Sequence, residues 1–370
     1  MLIDRIEIEN FKSIKAQKVK IAPINVLIGP NGAGKSNFIA FFSLVKNIFE
    51  ERLQAYIASH GKADNFLYFG RKASSHIRGG IYFKNSQSEA AYAYQFMLIP
   101  DERNSLIFEQ ERIRQSKHLH NGDEAWDAET SGGHAESSLK QNSAFRAPAF
   151  SDYPSSFHVF HFHDTSREGK LKQPSRTKDN RFLKSDGSNL AAFLYKLQQN
   201  HDAHFRMIEK TVKSIAPFFD RFDLAPDRID PEYIDLAWKE KGSEQYFNAY
   251  NLSDGTLRFI ALCALLLQPE PPKIIIIDEP ELGLHPFAVK KLAGMIRSAS
   301  AKAQIIVSTQ SVTLIDEFEP EDILVVERQQ DNGKACSEFR RYTFEELKVW
   351  MEDYSLGEIW EKNIIGGRPT

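Results

Sequence analysis

Long apolar runs are absent from this 370-residue chain: the longest, Phe259 to Leu267, is far short of the roughly 20 residues a membrane-spanning helix needs. Cysteine is scarce. Only Cys263 and Cys336 occur, which excludes a disulfide framework and a cysteine-rich zinc site. Charge of one sign is also lacking, with 47 Lys+Arg against 50 Asp+Glu and a formal net charge of −3. That near balance argues against a wholesale polyanion binder and leaves only local basic patches. The opening Met1-Leu-Ile-Asp-Arg places charges where a secretion signal needs an apolar stretch, so a reducing cytoplasmic home is expected. Apolar residues at 42% and charged residues at 26% indicate a folded globular chain rather than a disordered, collagenous or coiled-coil one.

The pattern along the chain is strand-rich at first. Ile3, Ile6 and Ile8, then Val19 to Ile21, then Ile24 to Ile28 read as β, the last run ending at Gly29-Pro30. From Ser36 the apolar residues Phe38, Phe41, Phe42, Val45, Ile48, Phe49 and Leu53 keep helical spacing until Gly61. Antiparallel strands are predicted around residues 79–83, 91–99 and 105–108, a long mobile loop over 115–150, and a strand over 157–162. Helices are predicted over 188–216, with strands near 218–224 and 233–238. Strand–helix alternation returns in the last third: helix 257–267, strand 273–277, helix 286–298, then strands at 304–307 and 323–326. The expected layout is an α/β core split in two, 1–60 and 251–328, around a β/helical insertion 61–250, with a tail 329–370.

Three motifs carry chemistry. Gly29-Pro-Asn-Gly-Ala-Gly-Lys35-Ser36 satisfies G-x-x-x-x-G-K-[ST] between a strand and a helix, the context that motif requires. Its glycines let backbone N–H groups turn toward phosphate oxygens at a helix N-terminus. Lys35 is the candidate for the β- and γ-phosphates and Ser36 for Mg²⁺. Second, the strand Lys273-Ile-Ile-Ile-Ile-Asp278-Glu279-Pro280-Glu281 suits a buried parallel sheet and delivers acids at its carboxyl edge. Asp278 is the metal candidate, and Glu279 the group that polarises the attacking water. Third, Leu252-Ser253-Asp254-Gly255-Thr256 reads alone as a capped helix start.

Together these motifs, with the following Gly283-Leu-His-Pro286, resemble an ABC-type ATPase head, and more narrowly the RecF/SMC/OLD branch of AAA-type ATPases. The segment Ile6 to Ile14 is similar to that branch's N-terminal strand and turn, and the likeness runs in order to about residue 328. It implies a P-loop NTPase fold of ABC-ATPase type, a mixed β N-terminal lobe plus a parallel core sheet, with ATP and Mg²⁺ as cofactors. It also implies that Asn31, Gly32, Ala33, Gly34, Lys35, Ser36 and Asn37 bind the phosphates, that Ser253, Asp254 and Gly255 reach the γ-phosphate of a partner subunit, and that Leu284 and His285 lie along that seam. Two departures stand out. Asp254 replaces the usual glycine and would repel a γ-phosphate unless neutralised. Gln310 stands at the position of the family's switch histidine and cannot carry a proton charge, so turnover is expected to be slow.

Weaker candidates complete the reading. His161 and His163 share one face of the strand around residues 157–162, which invites a metal reading; delivery of His163 and Asp164 to the nucleotide edge and a plain structural strand also remain open. Lys12, in the turn after the first strand, is a basic residue of the kind related heads turn toward nucleotide. The expected activity is an ATP-dependent homodimeric switch for a separately encoded effector such as a nuclease or toxin, in bacterial phage defence. A DNA-associated repair ATPase and a scaffold with little turnover are the alternatives, nucleic acid remaining open as a partner. A transporter subunit fits the strand-rich start and polar insertion poorly. A nuclease in its own right would need a further acidic domain.

Overall fold

The computed structural model describes residues 1–84, 91–116, 128–138, 156–331 and 333–367. The chain divides into two compact units, Met1–His158 with Glu319–Thr370, and Val159–Phe318.

The first unit holds a six-stranded antiparallel sheet in the order Ile14–Lys20, Leu2–Phe11, Ile77–Lys84, Ala91–Pro100, Leu106–Ser116, Ala128–His134. Ile6 and Ile8 are buried, while Glu7 and Glu9 on the alternate face are half-exposed, the period-two pattern of a sheet with one wet side; Ile3, beyond the register shift at Ile3/Arg5, and Phe11, after left-handed Asn10, are buried too. Strand Ile77–Lys84 pairs directly with Leu2–Phe11, so the residues expected to begin an insertion extend the N-terminal sheet instead. Against it lies the helix Lys35–Phe49, which buries Phe38, Phe41, Phe42, Val45, Ile48 and Phe49. Phe41 meets Phe11 edge-on at 5.8 Å and stacks on Phe96 at 6.1 Å, geometries that aromatic quadrupoles favour. Glu51, at φ 57, breaks the expected single helix, and a second one runs Leu53–Ser59.

The same unit carries the strand Ile24–Ile28, every residue of which is buried. It pairs in parallel with Ile323–Asp331, which turns back antiparallel onto Lys334–Arg341. Residues past 328, read from the sequence as a tail, therefore include a strand, and two capped helices follow, Phe344–Met351 and Leu356–Glu361.

The long loop expected over 115–150 is a correction. Residues 128–134 form a strand on Leu106–Ser116, while 117–127 and 139–155 lie outside the described residues. The register shifts between Phe108 and Gln110, where Gly132 faces the Glu109 carbonyl so closely that a Cβ would sit 2.6 Å away. Those glycines serve a bulge, not a loop.

In the second unit, Ile274–Asp278 and Gln304–Thr309 pair in parallel with Asp278 opposite Ser308. The helix Asp254–Leu266 is buried from Thr256 to Leu266 except at Arg258, as its continuous apolar run requires, and packs with the helix Asp202–Ile215. Helices Leu190–Asn200 and Pro286–Ala299 complete the helical layer. The strand expected over 157–162 is short, His158–Phe160, and the one over 233–238 splits into Tyr233–Ile234 and Trp238–Glu240.

Candidate functional site

The phosphate loop is fixed by backbone constraints in the first unit. Strand Ile24–Ile28 delivers Gly29, whose φ of +151° and closeness to the Val326 carbonyl leave no room for a side chain: a Cβ would lie 2.1 Å from that oxygen. Ala33 N–H closes a turn on the Pro30 carbonyl at 3.1 Å. At Gly34, φ +121°, a Cβ would meet Ser337 Oγ at 2.1 Å. Ser337 Oγ donates to the Ala33 carbonyl at 2.5 Å and touches Ser13 Oγ at 2.7 Å, and Asn37 Nδ2 donates to that same Ser13 oxygen at 2.6 Å. The helix then opens at Lys35 without a side-chain cap, so its first N–H groups face outward, the arrangement that binds anions. Lys35 is buried, 6% exposed, and its ammonium donates to the Gly29 and Pro30 carbonyls at 2.5 and 3.2 Å. Asn31, Gly32 and Ser36 are exposed on the rim and Asn37 is half-buried. A cradle of this kind fits a phosphate chain.

Beside the loop is a depression of about 440 Å³ lined by Lys12, Ser13, Asn37, His60, Asn65 and Phe69. Lys12 has φ 51° and its N–H is held by the Phe66 carbonyl at 2.7 Å, while burial pulls its ammonium pKa below the ordinary value. Phe69 is also left-handed, φ 54°, and 53% exposed. Strain of this sort collects at functional sites. The sequence reading missed Phe69 because neither exposure nor φ shows in a residue string.

In the second unit the acids emerge as expected. Asp278 Oδ1 accepts from Ser308 Oγ on the adjacent strand. The chain turns at once: Glu279 takes φ 43°, its N–H bonded to the Ser308 carbonyl at 2.9 Å. Gln310 lies at the end of that neighbouring strand, and its Nε2 donates to Glu279 Oε1 at 2.9 Å. Hard oxygen donors suit Mg²⁺, and among the described residues no group of three or more His, Cys, Asp or Glu could hold a metal alone. His161, paired with His163 in the metal reading, feels Asp278 as well: burial lowers its pKa and the Asp278 charge opposes that. Asp164 instead closes a local turn through Ser166 N–H and Oγ, while the His163 carbonyl accepts from Arg258.

The third motif is a capped helix start: Ser253 Oγ accepts from Thr256 N–H at 3.2 Å. Asp254, the charge that would repel a phosphate, pairs with Lys172 at 3.1 Å, which with its hydrogen bond lowers the carboxyl pKa. Gly255 packs against the Gly283 carbonyl, where a Cβ would come within 2.3 Å. Arg258 donates to the carbonyls of Phe162 (3.2 Å), His163 (2.7 Å) and Leu282 (2.8 Å), tying this helix to both flanking loops. Leu284 is half-buried, and His285 Nδ1 caps the helix Pro286–Ala299 by accepting from Phe287 N–H at 3.2 Å. Leu282 and Phe287 stay exposed beside them.

Comparison with known proteins accords with this geometry. The crystal structure of an Smc head bound to the C-terminal winged-helix domain of ScpA matches with a TM-score of 0.62 at 16% identity, covering 95% of this chain and 100% of the other. An Smc head domain with an extended coiled coil, bound to the C-terminal domain of ScpA and derived from Pyrococcus furiosus, matches at 0.60 and 15%, covering 95% and 99%. The fold is therefore that of SMC-head P-loop ATPase domains. None of the curated proteins compared with the chain matches it significantly. The family described as "AAA domain, putative AbiEii toxin, Type IV TA system" matches residues 24–316, four-fifths of the chain, and the protein belongs to that family.

Proposed function

We propose that the protein binds ATP with Mg²⁺, hydrolyses it slowly, and dimerises on ATP to switch a separately encoded effector. The observation that carries this reading is the glycine-forced loop that opens an uncapped helix and buries Lys35. Asn31 to Asn37 hold the phosphates, and Lys35 exchanges its loop carbonyls for β- and γ-phosphate oxygens. The depression beside Lys12 and Phe69 takes the base. Ser36 and Asp278 hold Mg²⁺, which when bound neutralises phosphate charge. Glu279 accepts a hydrogen bond from the attacking water and Gln310 orients that carboxylate. Gln310 has no titrating proton, which supports slow turnover suited to a switch.

Ser253 and Gly255 act in trans on the partner subunit's nucleotide. Asp254 is compatible with this because Lys172 neutralises it. Leu284 and His285, with exposed Leu282 and Phe287, form the seam. We place this switch in bacterial phage defence with a nuclease or toxin as effector; the family description names a putative AbiEii toxin and a type IV TA system, which hints at that setting. Among the described residues no helix is long and apolar enough to cross a membrane, in keeping with a cytoplasmic role. The test is phosphate release from ATP–Mg²⁺ by the wild type, Lys35→Ala and Glu279→Gln. The reading requires slow release that both substitutions abolish, with ATP binding lost only in the first. Release that survives both overturns it.

A further inference from the structure

Next to the acidic pair stands a third carboxylate that the mechanism above does not use. Glu281 is half-buried as a residue, yet its Oε2 is sealed from solvent and has no hydrogen-bond partner. Its other oxygen is fully engaged: Oε1 accepts from Thr309 Oγ1 and from Gln310 N–H at 3.3 Å. Thr309 is wholly buried, and its hydroxyl oxygen accepts from Ser311 N–H at 3.0 Å. With that acceptor role taken, the single Thr309 proton is directed at Glu281. The next residue, Gln310, places Nε2 2.9 Å from Glu279 Oε1. A continuous path thus runs from Glu281 through the Thr309–Gln310 turn to the carboxylate assigned to water activation.

We infer that Glu281 is a positioning residue, which clamps the Thr309–Gln310 turn so that the Gln310 amide holds Glu279 in its working orientation. Glu279 needs such a hold, because its φ of 43° is unfavourable for a non-glycine residue and nothing in its own backbone selects a side-chain direction. A carboxyl group suits the clamp because one oxygen can accept both the hydroxyl and the amide proton. A glutamine at 281 offers the same acceptor, and an alanine offers none. The inference rests on the ATPase reading for its rate effects but not for its geometry.

The experiment compares Glu281→Ala and Glu281→Gln in wild-type and Gln310→Ala backgrounds. Glu281→Ala should lower kcat about tenfold or more, with KM for ATP changed less than about twofold. Glu281→Gln should keep kcat near the wild-type value. In the Gln310→Ala background, Glu281→Ala should cost less than about a further twofold, because its route of action is already cut. An equal loss in both backgrounds, a glutamine variant as impaired as alanine, or an unchanged alanine variant each overturns the inference. Amide resonances of Gln310 supply a readout independent of turnover: its backbone and side-chain N–H signals should shift in Glu281→Ala and stay in place in Glu281→Gln. If the wild type releases no phosphate, the ATPase reading falls, and these resonances alone decide the clamp. Resonances that ignore the alanine substitution refute it.

Discussion

Replacing Gly34 by alanine tests why the phosphate loop has its shape. The new methyl meets two obstacles. The first is conformational: φ +121° lies where L-residues with a Cβ rarely go, a strain of about 1–3 kcal/mol. The second is steric: the methyl would lie 2.1 Å from Ser337 Oγ and 3.0 Å from Ser13 Oγ, so the hydroxyl must leave. Its departure removes the bonds to the Ala33 carbonyl and Ser13 Oγ, each worth about 1 kcal/mol net. The sum is about 3–5 kcal/mol, concentrated where the loop should meet phosphate. Chemical denaturation reads the stability change, and calorimetric titration reads ATP affinity, which should fall below detection. Ser337→Gly alone removes the same two bonds, about 2 kcal/mol, so adding it to Gly34→Ala should cost less than about a further 1 kcal/mol. A Gly34→Ala protein within about 1 kcal/mol of wild type and binding ATP normally would refute the reasoning.

Further substitutions probe the remaining parts. Lys35→Ala should take ATP binding below detection in titration calorimetry, through lost charge-assisted hydrogen bonds. Lys172→Ala should expose the Asp254 charge and weaken the ATP-bound dimer, and Asp254→Asn in the same protein should restore it, as read by solution mass in light scattering. Burial raises the Glu281 pKa, so the folded state holds its proton more tightly than the unfolded chain and stability from this group falls as pH rises above the ordinary carboxylate range. Thermal melts of Glu281→Gln against wild type should therefore favour the variant at neutral pH, with the gap closing toward acid pH.

The phosphate loop and acidic strand were legible because each motif couples a fixed chemical need to a fixed local structure. What escaped was set by partners distant in sequence. Ala128–His134 has only Thr130 as a β-former and became a strand because Leu106–Ser116 offers an unpaired edge and Gly132 fits its bulge. Residues beyond 328 were left as a tail although Thr343 with Glu346 and Ser355 with Glu358 spell two capping boxes that the sequence displays. Lys172 lies 82 positions from Asp254, so no local pattern could reveal that the extra carboxylate is compensated. Arg258 and Glu281 look like an ordinary helix arginine and a third acid until their acceptor and donor partners are known.

The most direct test of the switch is the solution mass of Glu279→Gln by light scattering, with and without ATP–Mg²⁺. Substituting the water-activating carboxylate should trap the nucleotide-bound state. The account predicts a mass that doubles on ATP–Mg²⁺ and returns to that of one chain when Ser253→Arg is added. A mass that ignores ATP–Mg²⁺, in a protein shown to bind it, would contradict the ATP-dependent dimer.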